Sequence, residues 1–289
     1  DDKSLATRQI SGNILKNICN YLPQLIGGSA DLSPSNNTKI DDGIQRFDFS
    51  KKYIHYGVRE HAMAGIANGL STYGLIPYVG TFLVFINYCL ASIRLSALSK
   101  HQVLYIFTHD SIGLGEDGPT HQPTESLTIL RSIPNSLTFR PADGNETNGC
   151  YIEALKEKEK PSCICLSRQS LPQLENSSSL NVSKGAYVLY ETSSEKQLDL
   201  IIIATGSEVS LSLEVAKELS NKLNIRVVSM PCMELFDLQD EEYKNSILPN
   251  NVKKLSVEAG ITLGWYKYAD FCFGIDSYGS SGKGSDVMD

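Results

Sequence analysis

The stretch THDSIGLGEDGPTHQ, residues 108–122, places His109 and His121, the acids Asp110, Glu116 and Asp117, and three glycines in one short loop. A calcium loop of the EF-hand kind fails, because Ile112 and Leu114 stand two and four residues after Asp110, where oxygen ligands are required. His109, Asp110 and His121 could form a metal cluster, but the histidines lack the i, i+4 helical spacing that preorganises a zinc pair. A loop that hydrogen-bonds an anionic, hydroxyl-rich substrate fits better. Glycines let the backbone approach closely, and His, Asp and Glu supply donors and acceptors.

Two further stretches could carry chemistry. In GTFLVFINYCLAS, Phe82, Phe85 and Tyr88 recur at three-residue steps, which drift around an α-helix yet share one side. Such a stripe is usually core, but next to a charged rim it could stack a flat heterocycle. ATGSEVS, residues 204–210, has the strand, turn and helix start that hold phosphate on backbone amides. It has one glycine rather than the three of a dinucleotide fingerprint, so a structural role is expected, with Ser207 as N-cap and Glu208 in the first turn.

The elements that must position these groups alternate. Apolar runs at 24–28, 52–57, 102–108, 136–140 and 162–167 read as strands, and 4–21, 62–73, 82–99 and 145–158 read as helices. Residues 62–93 carry no Asp, Glu, Lys, Arg or His, but their glycines, asparagines and Pro77 argue against a membrane span and for a buried helix, a turn and another buried helix. Residues 171–184, LPQLENSSSLNVSK, have the composition of an exposed linker, which divides a domain at 1–170 from one at 185–289. Strands at DLIIIATG, IRVVSM, KKLSVEA and FCFGID, with helices from about 207 to 221 and 263 to 271, make the second domain α/β as well. The fold class expected is therefore α/β in two domains, each a mostly parallel sheet flanked by helices.

Ligands of such sheets bind beyond the carboxyl ends of the strands. In the first domain those positions hold Ser29, Asp31 and Ser35, then Arg59, Glu60 and His61, then the residues of the opening loop, then Arg140 and Asp143, and last Arg168. All five histidines fall between positions 55 and 121, so titratable groups from several strands converge on one rim, as expected of a site.

Composition excludes other classes. The 289 residues suit two ordinary domains, and 41% hydrophobic with 20% charged residues is globular. A net charge of −7 with no long basic run gives no footprint for nucleic acid. Seven cysteines without a C-x-x-C pair suggest neither a disulfide framework nor a zinc site, and the polar start DDKSLATRQ lacks the layout of a signal peptide. A cytoplasmic protein with reduced cysteines, outside the membrane, is expected.

Several long stretches in order, YGVREHAMAGIANGL (56–70), GTFLVF (80–85), RLSALS (94–99), THDSIGLGEDGPTHQPTESL (108–127), RPADGNE (140–146), LSRQSLPQLE (166–175) and ATGSEVSLS (204–212), closely resemble transketolase. The resemblance implies a pyrimidine-binding domain of the thiamine-enzyme fold followed by a transketolase C-terminal-like domain. It also implies thiamine diphosphate-dependent transfer of a two-carbon ketol unit from a ketose phosphate to an aldose phosphate, in the pentose phosphate pathway. By the same resemblance, Glu60 of the R-E-H motif would bond the aminopyrimidine ring nitrogen and favour the imino tautomer that deprotonates the thiazolium carbon. Phe85, with Phe82 and Tyr88, would enclose the pyrimidine, and Asp31 would lie near the cofactor. Arg8, Ser35, His109 and Arg168 would hold the sugar phosphate. Asp117 would read a hydroxyl, His121 would stand near the reacting carbon, and Glu60, His121 and His109 would be the catalytic residues.

The family's G-D-G motif, which holds magnesium or calcium and the diphosphate, is not in this sequence, and relatives continue beyond GSDVMD. The expectation is a fragment that holds no metal itself, is inactive alone and belongs to a homodimer. One alternative is the natural small subunit of a split thiamine enzyme, and another is a non-catalytic interaction module. Pyruvate dehydrogenase beta subunits share the architecture, but Arg8, His109 and Arg168 favour sugar phosphates.

Overall fold

The computed structural model describes residues 4–44, 50–193 and 195–288; the opening Asp1–Lys3 read above lies outside them. In the first domain the chain runs β1 (Leu5–Ala6), α1 (Thr7–Ile18), β2 (Leu25–Ser29), α2 (Ser33–Asn36), β3 (Tyr53–His55), α3 (Glu60–Thr72) and β4 (Ile76–Phe82). It continues with α4 (Leu90–Leu98), β5 (Leu104–Thr108), α5 (Ser126–Arg131), β6 (Leu137–Phe139), α6 (Gly144–Lys156), β7 (Ser162–Leu166) and β8 (Ser170–Leu171). Six strands form a parallel sheet in the order β3-β2-β4-β5-β7-β6, while β1 and β8 make a small antiparallel ladder. Helices on both faces explain why β5 is buried at every residue and apolar at all but Thr108.

The second domain adds β9 (Tyr187–Glu191), β10 (Leu200–Ala204), α7 (Glu208–Glu218), β11 (Ile225–Ser229), α8 (Met233–Asp237), α9 (Glu241–Ile247), β12 (Lys253–Val257), β13 (Phe271–Phe273) and α10 (Gly284–Met288). Its sheet, β13-β12-β10-β11-β9, is parallel except for the edge strand β9. The α/β class read from sequence is the class observed. Among the described residues no helix is long and apolar enough to cross a membrane.

Four local readings are corrected. The segment 62–93 is not helix, turn, helix: it contains β4, a strand with six of its seven residues buried, at the centre of the first sheet. A short, wholly buried apolar run has no period to separate strand from helix, and Pro77 and Gly80 read as breakers. The helix expected over 82–99 is a 3₁₀ turn, Leu83–Tyr88, followed by α4. The one expected near 263–271 is a 3₁₀ turn, Thr262–Lys267. The segment 171–184 is only partly exposed. Leu171, Leu174, Ser177 and Val182 are buried, and the Asp143 carboxylate accepts from the Leu174 N–H at 3.0 Å and from the Ser177 hydroxyl. Asp143 also caps α6, accepting from the Glu146 N–H at 3.0 Å, so it belongs to the scaffold rather than the rim.

Candidate active site

Strand order sets the place. β3 lies on one side of β2 and β4 on the other, so the crevice between the carboxyl ends of β2 and β4 is a topological switch point. Register brings Ser29 level with Gly80, Phe82 with Thr108, and Thr108 with Leu166, which aligns the ends of four strands on one rim.

The rim carries an aromatic platform. Phe82 ends β4, and Phe85 and Tyr88 follow on the 3₁₀ turn. A 3₁₀ helix has three residues per turn, so three-residue steps stay on one face, whereas on an α-helix they would drift. The rings of Phe82 and Phe85 stack with centroids 5.7 Å apart, and Phe85 lies 5.9 Å from Tyr88. His109 stacks on Phe82 at 3.8 Å and His121 meets the edge of Phe85 at 5.3 Å. The stripe is therefore not core throughout: Phe82 is buried, but Tyr88 is 66% exposed.

Cations gather behind it. Arg8 gives a 2.8 Å hydrogen bond to the Ser35 carbonyl, and among the described residues Arg8 Nε is buried without a partner and the Ser35 hydroxyl makes no hydrogen bond. Burial, then the charge of Arg168, lowers the Arg8 pKa. Burial, then Arg8, Arg168 and His121, pushes His109 down to about 3, so its imidazole is neutral at physiological pH. A half-buried arginine with an unfilled donor, near an exposed second arginine and a buried neutral imidazole, is suited to an anion.

Glu60 opens α3 at the end of β3 and is 9% exposed. Among the described residues its carboxylate has no hydrogen-bond partner. Burial, and then the charge of Glu60, pushes the Cys89 thiol up to about 12. Arg8, Ser35, His109, His121, Arg168 and the three aromatic residues are thus brought together. Asp31 and Asp117 are exposed, and no side-chain bond ties either to this group; Asp31 sits at φ +61°, a costly conformation for a non-glycine residue.

Other residues of the rim census belong elsewhere. Arg140 is wholly buried and bonds Asp110 through Nε at 2.9 Å, Glu208, and both oxygens of Thr205. Arg131 grips Glu258 with two 2.7 Å bonds, and Glu258 also accepts from Thr205 and from Trp265 Nε1. This network joins the two domains. Ser207 stands at the N-cap of α7 with Glu208 in the first turn, as expected, but makes no side-chain capping bond: its hydroxyl donates to Glu208 at 2.6 Å, and Gly206 is needed because a Cβ there would stand 2.8 Å from the Arg140 guanidinium.

Sequence reasoning did not single out Gln122 or the strap 279–284. Gln122 Nε2 donates to Ser280 O at 2.9 Å and to Gly115 O at 3.1 Å, and a Cβ on Gly115 would meet Gly284 N at 2.7 Å. The second domain therefore braces the 108–122 loop from outside. Partners so distant in sequence leave no local signal.

The fold and rim define a two-domain α/β chain whose first sheet carries, beyond the carboxyl ends of its strands, an aromatic shelf, a nearly buried carboxylate and a group of arginine and histidine side chains. Comparison with known proteins agrees. The transketolase pyrimidine-binding domain model matches residues 3–173, and the transketolase-like C-terminal domain model matches residues 185–289. Transketolase 1 of Saccharomyces cerevisiae is 51% identical, covering 99% of this chain and 43% of that protein. A transketolase from Pichia stipitis in complex with sedoheptulose 7-phosphate matches with a TM-score of 0.96 at 47% identity, over 100% of this chain and 44% of that one. A split-gene transketolase solved as an inactive β4 tetramer matches with a TM-score of 0.75 at 25% identity, over 96% of this chain and 91% of that one. The chain belongs to the transketolase family. It spans less than half the length of the curated relatives it matches.

Proposed function

We propose that this chain supplies the pyrimidine-binding half of a thiamine diphosphate site and the sugar-phosphate pocket for ketol transfer from a ketose phosphate to an aldose phosphate. The observation that carries the reading is that the rim with the Phe82 and Phe85 shelf also holds Arg8, His109 and Arg168 and a Glu60 carboxylate without a hydrogen-bond partner among the described residues. These groups fit an aminopyrimidine, which needs a flat apolar contact and a carboxyl at a ring nitrogen. Thiamine diphosphate, when bound, supplies the carbon that carries the two-carbon unit.

Glu60 holds a proton at the pyrimidine ring nitrogen, general acid and base work by a positioned carboxyl. Phe82, Phe85 and Tyr88 exclude water from that ring. Arg8 and Arg168 grip the phosphate of the sugar, with the Ser35 hydroxyl as a further donor. Asp117 reads a sugar hydroxyl, Asp31 stands near the cofactor, and His121 faces the reacting carbon. Among the described residues no group of three or more His, Cys, Asp or Glu comes together as a metal site. The diphosphate and its magnesium or calcium are assigned to a separate diphosphate-binding domain. All seven cysteines are free, in keeping with work in the reducing cytoplasm.

The chain alone is expected to bind thiamine diphosphate weakly and to transfer no ketol unit, while mixing it with a diphosphate-binding domain restores transfer. A coupled assay of xylulose 5-phosphate cleavage measures this, and turnover by the chain alone overturns the reading. The match to most of the length of a split-gene relative favours a second reading, a natural small subunit completed by a partner chain. A reading frame running upstream of Asp1 into a G-D-G domain would exclude it. If no such domain restores activity, the chain is a non-catalytic module.

A homodimer is part of the proposal. α3 and α4 present Ile66, Tyr73, Leu95 and Leu98 to solvent beside Ala62, Gly65 and Gly69, an apolar face at the helix that starts with Glu60. Ile66→Lys is expected to weaken dimerisation of the holoenzyme by at least about tenfold, since it buries an unpaired charge. Analytical ultracentrifugation reads the result, and unchanged association would rule this face out.

A further inference from the structure

Behind His109 stands a file of buried polar groups from three elements. Ser29 Oγ is 2.6 Å from Asn36 Oδ1, Asn36 Nδ2 is 2.7 Å from Thr108 Oγ1, and Thr108 Oγ1 is 2.8 Å from His109 Nδ1. None of the four side chains is more than 3% exposed, so each depends on the next for its partner.

Such a file has two self-consistent settings. In one, Ser29 gives its hydroxyl proton to the Asn36 carbonyl, the Asn36 amide donates to Thr108, and Thr108 gives its hydroxyl proton to His109 Nδ1. Nε2 then carries the imidazole proton. In the other, the amide is turned over, every bond reverses and Nε2 is bare. Length decides between them. At 2.6 Å the Ser29–Asn36 contact is ordinary for O–H···O and shorter than the usual range for N–H···O, so Ser29 faces the amide oxygen. The Gly80 carbonyl, 2.9 Å from Ser29 Oγ, keeps a lone pair free beside the Ala30 N–H bond at 3.1 Å, so the Ser29 hydroxyl proton is shared as a three-centre bond between two carbonyl oxygens, with the shorter arm to Asn36. Burial and the flanking Arg8 and Arg168 keep the imidazole neutral, so it holds one N–H. The Phe82 ring, tilted 31° to it, fixes its plane.

We propose that Ser29, Asn36 and Thr108 are positioning residues that fix His109 as the Nε2–H tautomer, so that it donates a hydrogen bond to an oxygen of the bound sugar phosphate. The identity of that ligand rests on the ketol-transfer reading; the tautomer is a property of this chain alone. His109 on this account takes no proton from the substrate, which narrows its expected catalytic role to that of a fixed donor.

The test uses the holoenzyme labelled with 15N at histidine. Long-range proton–nitrogen spectra should show a pyridine-like Nδ1 and a pyrrole-like Nε2 for His109, identified by its loss in His109→Gln. Thr108→Val should mix the tautomers and raise KM for the sugar phosphate about tenfold, the scale of one hydrogen bond to a charged group, with kcat held within about twofold. Thr108→Ser should restore both. A pyrrole-like Nδ1 in the parent protein, or a Thr108→Val spectrum and KM identical to the parent, overturns the proposal. A holoenzyme with the expected spectrum but no ketol transfer would refute the functional reading and leave the tautomer assignment standing.

Discussion

Glu60→Gln should reduce ketol transfer by roughly 10²- to 10⁴-fold, the span attributed to a positioned general acid or base. Glutamine keeps the shape of the side chain at the start of α3 but cannot pass a proton to and from a ring nitrogen. The stacking surface of Phe82 and Phe85 is untouched, so cofactor affinity should fall far less than kcat. Single-turnover assays at saturating thiamine diphosphate separate the two effects. Because Glu60 is nearly buried and its carboxylate makes no hydrogen bond within the described residues, the substitution removes no structural bond and stability should hold. Retention of more than about a tenth of parental kcat would remove Glu60 from the mechanism.

Arg140→Met should cost about 3–5 kcal/mol of stability, the scale for deleting one partner of a buried ion network. The substitution strands Asp110 and Glu208 in an interior where Arg140 is now their shared partner. Glu258 keeps its two bonds from Arg131, so the second half of the network survives. Urea unfolding at neutral pH gives the loss. Pairing Arg140→Met with Glu208→Met should recover part of it, since an apolar replacement of both partners leaves fewer buried charges unmatched. A loss under about 1 kcal/mol in the single variant would mean that solvent reaches the cluster. Acid adds a signature. Burial raises the Glu258 pKa, but Arg131 and then Arg140 outweigh it and hold it at about 2. A depressed carboxyl contributes stability that is present above the ordinary 4.5 and lost as pH falls toward 2. The variant, with one of those cations gone, should lose that contribution at a higher pH.

The consequence reaches the site. Asp110 follows His109 directly, so Arg140 and the second domain's Glu208 hold the base of the 108–122 loop while Gln122 and Ser280 hold its far end. A loop with three glycines has little stiffness of its own, and the second domain supplies it. This gives the second domain a part in positioning the loop, a role its own sequence did not announce.

The amino-acid sequence by itself determined the α/β class, most of the strands and the residue types at their carboxyl ends. Those features are local: an apolar run, a helical period, a glycine at a turn. The long motifs around Glu60, Phe85 and His109 were legible for the same reason, as was the family. What tertiary structure decided was every relation between distant residues. β4 became a strand because two neighbours were there to pair with it on either side. The aromatic stripe became one face because its segment closed as a 3₁₀ turn. Arg140 left the rim for the core because Thr205 and Glu208, more than sixty residues away, enclose it. Asn36 met Thr108 across 72 residues, and Arg131 met Glu258 across 127. Contacts of that span form only after the chain has closed large loops and buried its cores, so no short window of sequence carries their signal.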